Sequence, residues 1–198
     1  MKRLILATLL CACTGAVHAG DWTVKLGAHN VDPKSNNGTL AGTLDVDVSN
    51  NARPSIMLEY LWTPNWGFEI LAAVPFEHDV DVDGTRIASL THLPPTFTLQ
   101  YHFNPEGSVS PYLGAGFNYT FIYDEETHGP IDGSRIELDN SFGLAAHAGI
   151  DFKVNDRWSL GVDLRWIDID TDVKLDGTNI GEVNVDPLAY GAYAMYRF

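Results

Sequence analysis

The sequence predicts an all-β fold: an eight-stranded antiparallel transmembrane β-barrel with short periplasmic turns and long extracellular loops. Three observations predict it. The closing segment alternates, with Tyr190, Ala192, Ala194, Tyr196 and Phe198 forming one apolar face in a chain of formal net charge −14. Successive strand side chains face opposite sides, so that face suits lipid and its terminal aromatic suits a membrane interface. Comparable period-two stretches recur about eight times along the chain, and no stretch sustains a helical period. The connections between them alternate short and long, the layout of bacterial outer-membrane barrels.

The first element is a secretory signal over residues 1–19. Lys2 and Arg3 form its charged start, Leu4 to Leu10 its apolar core and Val17-His18-Ala19 a small-x-small cleavage site. The apolar run is too short to cross a bilayer as a helix. Leu10-Cys11-Ala12-Cys13 also loosely fits a lipobox with Cys13 acylated, although a Cys before the alanine is unusual there. The single barrel domain then occupies residues 20–198. Both cysteines fall within the signal, so a processed chain has no thiol for disulfides, catalysis or metal binding. Removing Lys2 and Arg3 from the 12 basic residues leaves 10 against 26 acids, a formal net charge of −16. Nucleic acid is excluded as a partner, because phosphate neutralisation needs Lys and Arg clusters.

Strands follow near residues 21–31, 54–62, 66–76, 96–103, 111–123, 139–153, 158–169 and 187–198. Thr63-Pro64-Asn65, Asn104 to Gly107 and Val154 to Arg157 supply the short turns. The long connections, 32–53, 77–95, 124–138 and 170–186, are rich in Asp, Asn, Gly and Thr and are expected as exposed loops. The outward faces carry no charge. One reads Ile56, Leu58, Tyr60 and Trp62, and the next runs from Trp66 through Phe68 and Val74 to Phe76. Later ones include Leu99, Leu113, Phe117, Leu144, Leu160 and Leu164. A lipid-facing Arg or Lys at mid-depth costs about 2–4 kcal/mol, which accounts for the absence. Trp62, Trp66, Phe103, Trp158 and Phe198 make a girdle beside the short turns, and Phe76, Tyr123, Trp166 and Tyr190 one towards the long loops. A soluble lipocalin-like barrel reverses these faces. Here the inner face carries Glu59, Glu69, Gln100, His102, Asp151, Asp163 and Arg165, too many charges for a dry ligand cup.

Four blocks in order carry a resemblance to a known family. They are residues 93–103 (Leu93-Pro-Pro-Thr-Phe-Thr-Leu-Gln-Tyr-His-Phe103), 111–121, 163–172 and 186–198. Over these the chain resembles the OmpW family of eight-stranded outer-membrane proteins. The resemblance implies a narrow, largely apolar channel in the bacterial outer membrane. It further implies passage of small hydrophobic molecules, a link to stress responses and, in some members, a receptor role for colicins or phage.

With the N-terminus on the periplasmic side, inward residues sort by depth. Lys25, Glu69, Gln100, His102, Tyr112, Asp151 and Arg197 fall in the periplasmic half, and Glu59, His147, Asp163 and Arg165 near the middle. Met57, Leu71, Ile122 and Ile167 fall towards the outside, predicting an apolar upper lumen above a charged one. An eight-stranded barrel is nearly filled by side chains, and buried ions must pair. Lys25, Arg165 and Arg197 are therefore expected to meet Glu59, Glu69, Asp151 and Asp163 in one network, read first as a structural plug. Inward Gly27, Gly114, Gly116, Gly143, Gly149, Gly161 and Gly191 allow either close backbone approach or room for a ligand.

No nucleophile elbow or triad emerges around His102, His147, Ser141 and Ser159, so no enzyme is expected. His78, His92 and His128 are scattered loop residues, and neither a metal site nor a cofactor is expected. Pro75 breaks the third strand and Pro94-Pro95 precede the fourth, on neighbouring strands. Proline donates nothing to a ladder, so these three mark either plain strand ends or a lateral opening in a weakly bonded wall. The sequence thus predicts a monomeric channel for small apolar solutes, embedded among outer-membrane lipid and lipopolysaccharide, with sideways release into the membrane. The alternative is a closed structural or adhesion barrel whose loops bind phage, colicin or host surfaces.

Overall fold

Asp21 opens the first strand of the computed structural model, which describes residues 20–198. The expected signal segment, with Cys11 and Cys13, lies outside the described residues. The strands are β1 (Asp21–Asp32), β2 (Thr39–Leu40), β3 (Leu44–Val48), β4 (Asn51–Leu61), β5 (Trp66–Ala73), β6 (Phe76–Val82), β7 (Thr85–Leu93) and β8 (Thr96–His102). They continue as β9 (Val109–Thr127), β10 (Ile136–Leu138), β11 (Ser141–Lys153), β12 (Trp158–Ile167), β13 (Asp170–Leu175), β14 (Thr178–Asn184) and β15 (Leu188–Arg197), with one 3₁₀ turn at Gly129–Ile131.

Eight strands close a barrel in the order β9-β11-β12-β15-β1-β4-β5-β8, and β8 returns to β9 through the Thr96↔Asn118 to His102↔Tyr112 register. All of these pairs are antiparallel. The outer face is apolar and uncovered: Phe142, Leu144 and Leu160 are 68, 64 and 55 % exposed. Exposed apolar area on this scale needs lipid around it. Inward neighbours on the same strands, such as His147, Asp163 and Arg165, are buried.

The long extracellular connections are in large part strand. They fold into β2, β3, β6, β7, β10, β13 and β14, which with the upper end of β9 continue the wall as an extracellular sheet in the order β10-β13-β14-β2-β3-β6-β7-β9. The acids in these segments alternate with apolar residues, and that pattern belongs to strands with one wet face. Val46, Val80, Val82, Val173 and Val183 point inward while Asp45, Asp47 and Asp172 point out. Asp83-Gly84 and Asp176-Gly177 have positive φ (48° and 74°, 49° and 80°), as a two-residue hairpin turn requires. The inner faces meet in a core that includes Leu40, Ile136, Ile167, Ile169 and Val185.

Phe76 departs from its expected place in the outer girdle. It is 2 % exposed and packs inside against Val31 and Ala189. The chain bends at Val74-Pro75 between β5 and β6, so the alternation restarts there, with Val74 outside and Phe76 inside.

Candidate functional site

The barrel interior below the extracellular sheet is filled by one polar network. Lys25 Nζ donates to Glu69 Oε2 at 2.6 Å and lies 3.3 Å from Glu59 Oε2. Arg165 donates from Nη2 to Glu69 Oε1 and from Nε to Asp163 Oδ2, both at 2.6 Å. His102 Nε2 is 2.8 Å from Glu59 Oε1, and its Nδ1 is 3.9 Å from Asp151 Oδ2. Asp151 accepts from Tyr193 at 2.7 Å, and Tyr193 shares a 2.8 Å contact with Tyr112. Gln100 Nε2 donates to Glu59 at 2.7 Å. The chain of contacts is continuous from β15 to β12 through β1, β4, β5 and β8, as a plug that ties the wall together requires.

Two expected members differ. Arg197 stays at the periplasmic rim, 3.9 Å from Asp21 and about a third exposed, apart from the network. Met57 does not line an apolar upper space: its sulfur receives Arg165 Nη2 at 3.3 Å, and it packs with Leu71, Tyr193 and Met195. One member was overlooked in the sequence. His29, inward on β1 four residues after Lys25, bridges Asp163 (2.8 Å) and Ser55 (2.7 Å). Its parity with Lys25 was the available signal. His147 stacks edge-on against Tyr112 at 5.6 Å, and neither of its ring nitrogens has a partner among the described residues. Ser141 instead accepts from the Asp170 amide, so no serine–histidine pair forms there.

The inward glycines lie close against protein atoms. A Cβ on Gly114 would strike His147, on Gly149 the Tyr112 ring, on Gly161 the Tyr193 ring and on Gly191 the His29 ring. Each of these four accommodates one inward ring from a neighbouring strand, whereas a Cβ on Gly27, Gly116 or Gly143 would first strike a backbone carbonyl oxygen.

Above the network the lining turns apolar. A cavity of about 20 Å³ lies against Leu71, Phe76, Pro94, Ile167 and Ala189. Over it, about 30 Å³ remains in a chamber lined by Ile122, Val80, Leu90, Ile169 and Val183, with His78 and His92 in its wall. Phe76, in the wall of the smaller cavity, packs against His92 of the chamber with ring centroids 5.5 Å apart. The two histidines, far apart as sequence, face each other with Nε2 atoms 3.2 Å apart. Burial pushes both imidazoles below their ordinary range. His92 falls to about 3, with His78 adding to the effect, while the Ser49 carbonyl and Asp79 partly oppose it at His78.

The small cavity abuts a seam in the wall. The β5–β8 ladder ends at Leu71↔Thr96 and the β6–β7 hairpin begins at Phe76↔His92, so residues 72–75 and 93–95 share no pair. Both sides bond outward instead. The Val74 amide donates to the Pro54 carbonyl (2.9 Å), and the Tyr119 amide donates to the Pro95 carbonyl (3.1 Å). Pro75, Pro94 and Pro95 occupy this seam. Outside, Asp168, Asp170 and Asp186 bring carboxylate oxygens within 4.8 Å of one another, but Lys34 already bonds Asp186 at 2.6 Å.

The model of the OmpW family matches residues 18–198. The chain belongs to the OmpW family. It is 36 % identical to Outer membrane protein W of Escherichia coli (strain K12), with 100 % of both chains covered. The crystal structure of the outer membrane protein OprG from Pseudomonas aeruginosa matches with a TM-score of 0.81 at 30 % identity, covering 91 % of this chain and 96 % of that one. A further relative is the Dibenzothiophene metabolism operon protein PahQ of Pseudomonas aeruginosa, 28 % identical over 77 % of this chain and 75 % of that protein. This OmpW-family chain is an outer-membrane β-barrel, and lipid surrounds its apolar outer face.

Proposed function

We propose that this OmpW-family barrel admits small apolar molecules from outside and releases them sideways into the outer membrane, as a monomer without enzymatic activity. One observation carries the reading: beneath the apolar chamber, a second apolar cavity reaches from His29, which bonds Asp163 of the ionic plug, to Pro94 in a seam without ladder pairs. A solute burying about 200 Å² of apolar surface gains about 5 kcal/mol on leaving water. It forfeits that gain if driven between Lys25, Glu69 and Arg165, whose buried charges must separate to let it pass. The route past Phe76 to Pro94 breaks no ladder bond and ends in lipid. The name of the PahQ relative, from a dibenzothiophene metabolism operon, is consistent with apolar aromatic cargo.

Entry requires the chamber to widen, since about 30 Å³ holds little more than a water molecule. That closure favours a second reading, a sealed barrel whose extracellular sheet serves as a receptor or adhesion surface. A Cys pair at Pro75 and Pro95 separates the two readings. Oxidised, cross-linked protein is expected to take up an apolar solute more slowly than its reduced form. Equal uptake in both forms overturns sideways release at this seam.

A further inference from the structure

The chamber wall is mostly apolar; its hydroxyls, Ser89 and Thr171, are taken up by His128 and the Asp139 carbonyl, and its two imidazoles form a relay with a direction. His78 Nδ1 meets the Ser49 carbonyl oxygen, which can only accept, so Nδ1 carries the hydrogen. In the neutral ring His78 Nε2 is then an acceptor. Its neighbour at 3.2 Å, His92 Nε2, must be the donor. His92 is therefore protonated at Nε2 and bare at Nδ1, and among the described residues nothing donates to that nitrogen. The ring is 3 % exposed and lies in the chamber wall. The Phe76 ring lies at a steep angle to it, with centroids 5.5 Å apart, so an aromatic ring neighbours the imidazole.

Resting on the apolar-solute reading above, we propose that His92 Nδ1 is a recognition point for solutes that carry one hydrogen-bond donor on an apolar body, above all phenols and other aromatic alcohols. A hydrocarbon leaves the lone pair unmatched, whereas a hydroxyl donates to it at no cost in ring contact. A buried acceptor discriminates strongly because an unmatched polar atom in an apolar wall is penalised. Burial keeps His92 neutral at physiological pH, so the nitrogen stays an acceptor. The backbone hydrogen bond of His78 fixes the polarity: reversing the relay would set a hydrogen-bearing nitrogen or a bare lone pair against its own kind. A metal fits the pair less well, since no third side-chain ligand groups with the two imidazoles among the described residues.

The test uses the full chain in lipid nanodiscs, with protein-free discs subtracted, and three probes: naphthalene, 2-naphthol and 2-methoxynaphthalene. The phenol is expected to bind roughly three- to tenfold more tightly than naphthalene, the range of one net hydrogen bond. The methoxy compound, which cannot donate, is expected to bind like naphthalene. His92→Phe should abolish the preference, so that 2-naphthol and naphthalene bind that variant alike. In ¹⁵N spectra of the unaltered protein, the bare His92 nitrogen should shift when 2-naphthol is added and stay put with naphthalene, a readout independent of how the variant folds. Naphthalene binding without a preference for the phenol overturns the recognition role and leaves the channel reading standing. So does a preference that survives in His92→Phe. Absence of binding by all three probes overturns both.

Discussion

Arg165 reaches across the barrel from β12 to Glu69 on β5, where Nη2 and Oε1 meet at 2.6 Å with both side chains at most 2 % exposed. The same guanidinium holds Asp163, so one cation neutralises two carboxylates. Arg165→Ala leaves Glu69 with Lys25 as its one cation among the described residues and Asp163 with His29 alone, in the interior. The expected cost is about 3–5 kcal/mol, read as a lower midpoint of unfolding in detergent. Asp81→Ala, on the extracellular sheet, is expected to stay within about 0.5 kcal/mol. Matching effects would contradict the plug.

The glycines opposite the large inward rings give a second test. Gly161→Ala drives a Cβ into the Tyr193 ring, which is itself fixed by Asp151 and Tyr112. Overpacking of this kind costs about 1–3 kcal/mol. Adding Tyr193→Leu to Gly161→Ala should make the glycine substitution nearly neutral relative to Tyr193→Leu alone. If the cost persists, the glycine serves strand curvature and not ring packing.

Register can be checked on adjacent residues. Leu99 is 45 % exposed on the lipid face and Gln100 is buried beside Glu59. Leu99→Arg is expected to reduce folding yield into bilayers by about 2–4 kcal/mol. Gln100→Arg places its charge between Glu59 and Glu69 and should be tolerated better. The opposite ranking would invert the faces.

The extracellular sheet should weaken in mild acid. His92 titrates near 3 when folded, against an ordinary value near 6.5 when unfolded. Between those values the unfolded chain binds a proton that the folded chain does not, so stability is full above about 6.5 and falls as pH drops towards 3. The slope is about 1.4 kcal/mol per pH unit for this group. Buried His78 acts in the same sense, with Asp79 opposing and Arg53 assisting. Amide protection factors in β6 and β7, taken relative to the intrinsic exchange rate at each pH, are expected to fall from pH 7 to pH 5 in the parent and much less in His92→Phe. Parallel behaviour of the two proteins would show that His92 is not responsible.

The barrel was legible because lipid imposes a severe rule: outward positions must be uncharged, and one strand shift exposes the violation. The same rule placed Lys25, Glu59, Glu69 and Arg165 on the inner face. The extracellular sheet was not legible because its outer face meets water. Asp45, Asp47 and Asp81 disguised the alternation of Val46, Val80 and Val82 as a loop composition. Phe76 was misplaced because Pro75 resets the pleat, which periodicity alone does not register. The pairing of His78 with His92 depends on the β6–β7 register, and their separation in the sequence gave no sign of it.

The central claim is that an apolar solute occupies the chamber and leaves through the seam. It is tested most directly by nuclear Overhauser contacts between naphthalene and methyl-labelled protein in a bilayer. The account predicts contacts to Ile122 and Ile169 in the chamber and to Leu71 and Ile167 at the cavity beside Pro94. Contacts confined to outward Leu99, Leu113 and Leu144 would place the solute in the surrounding lipid and contradict it.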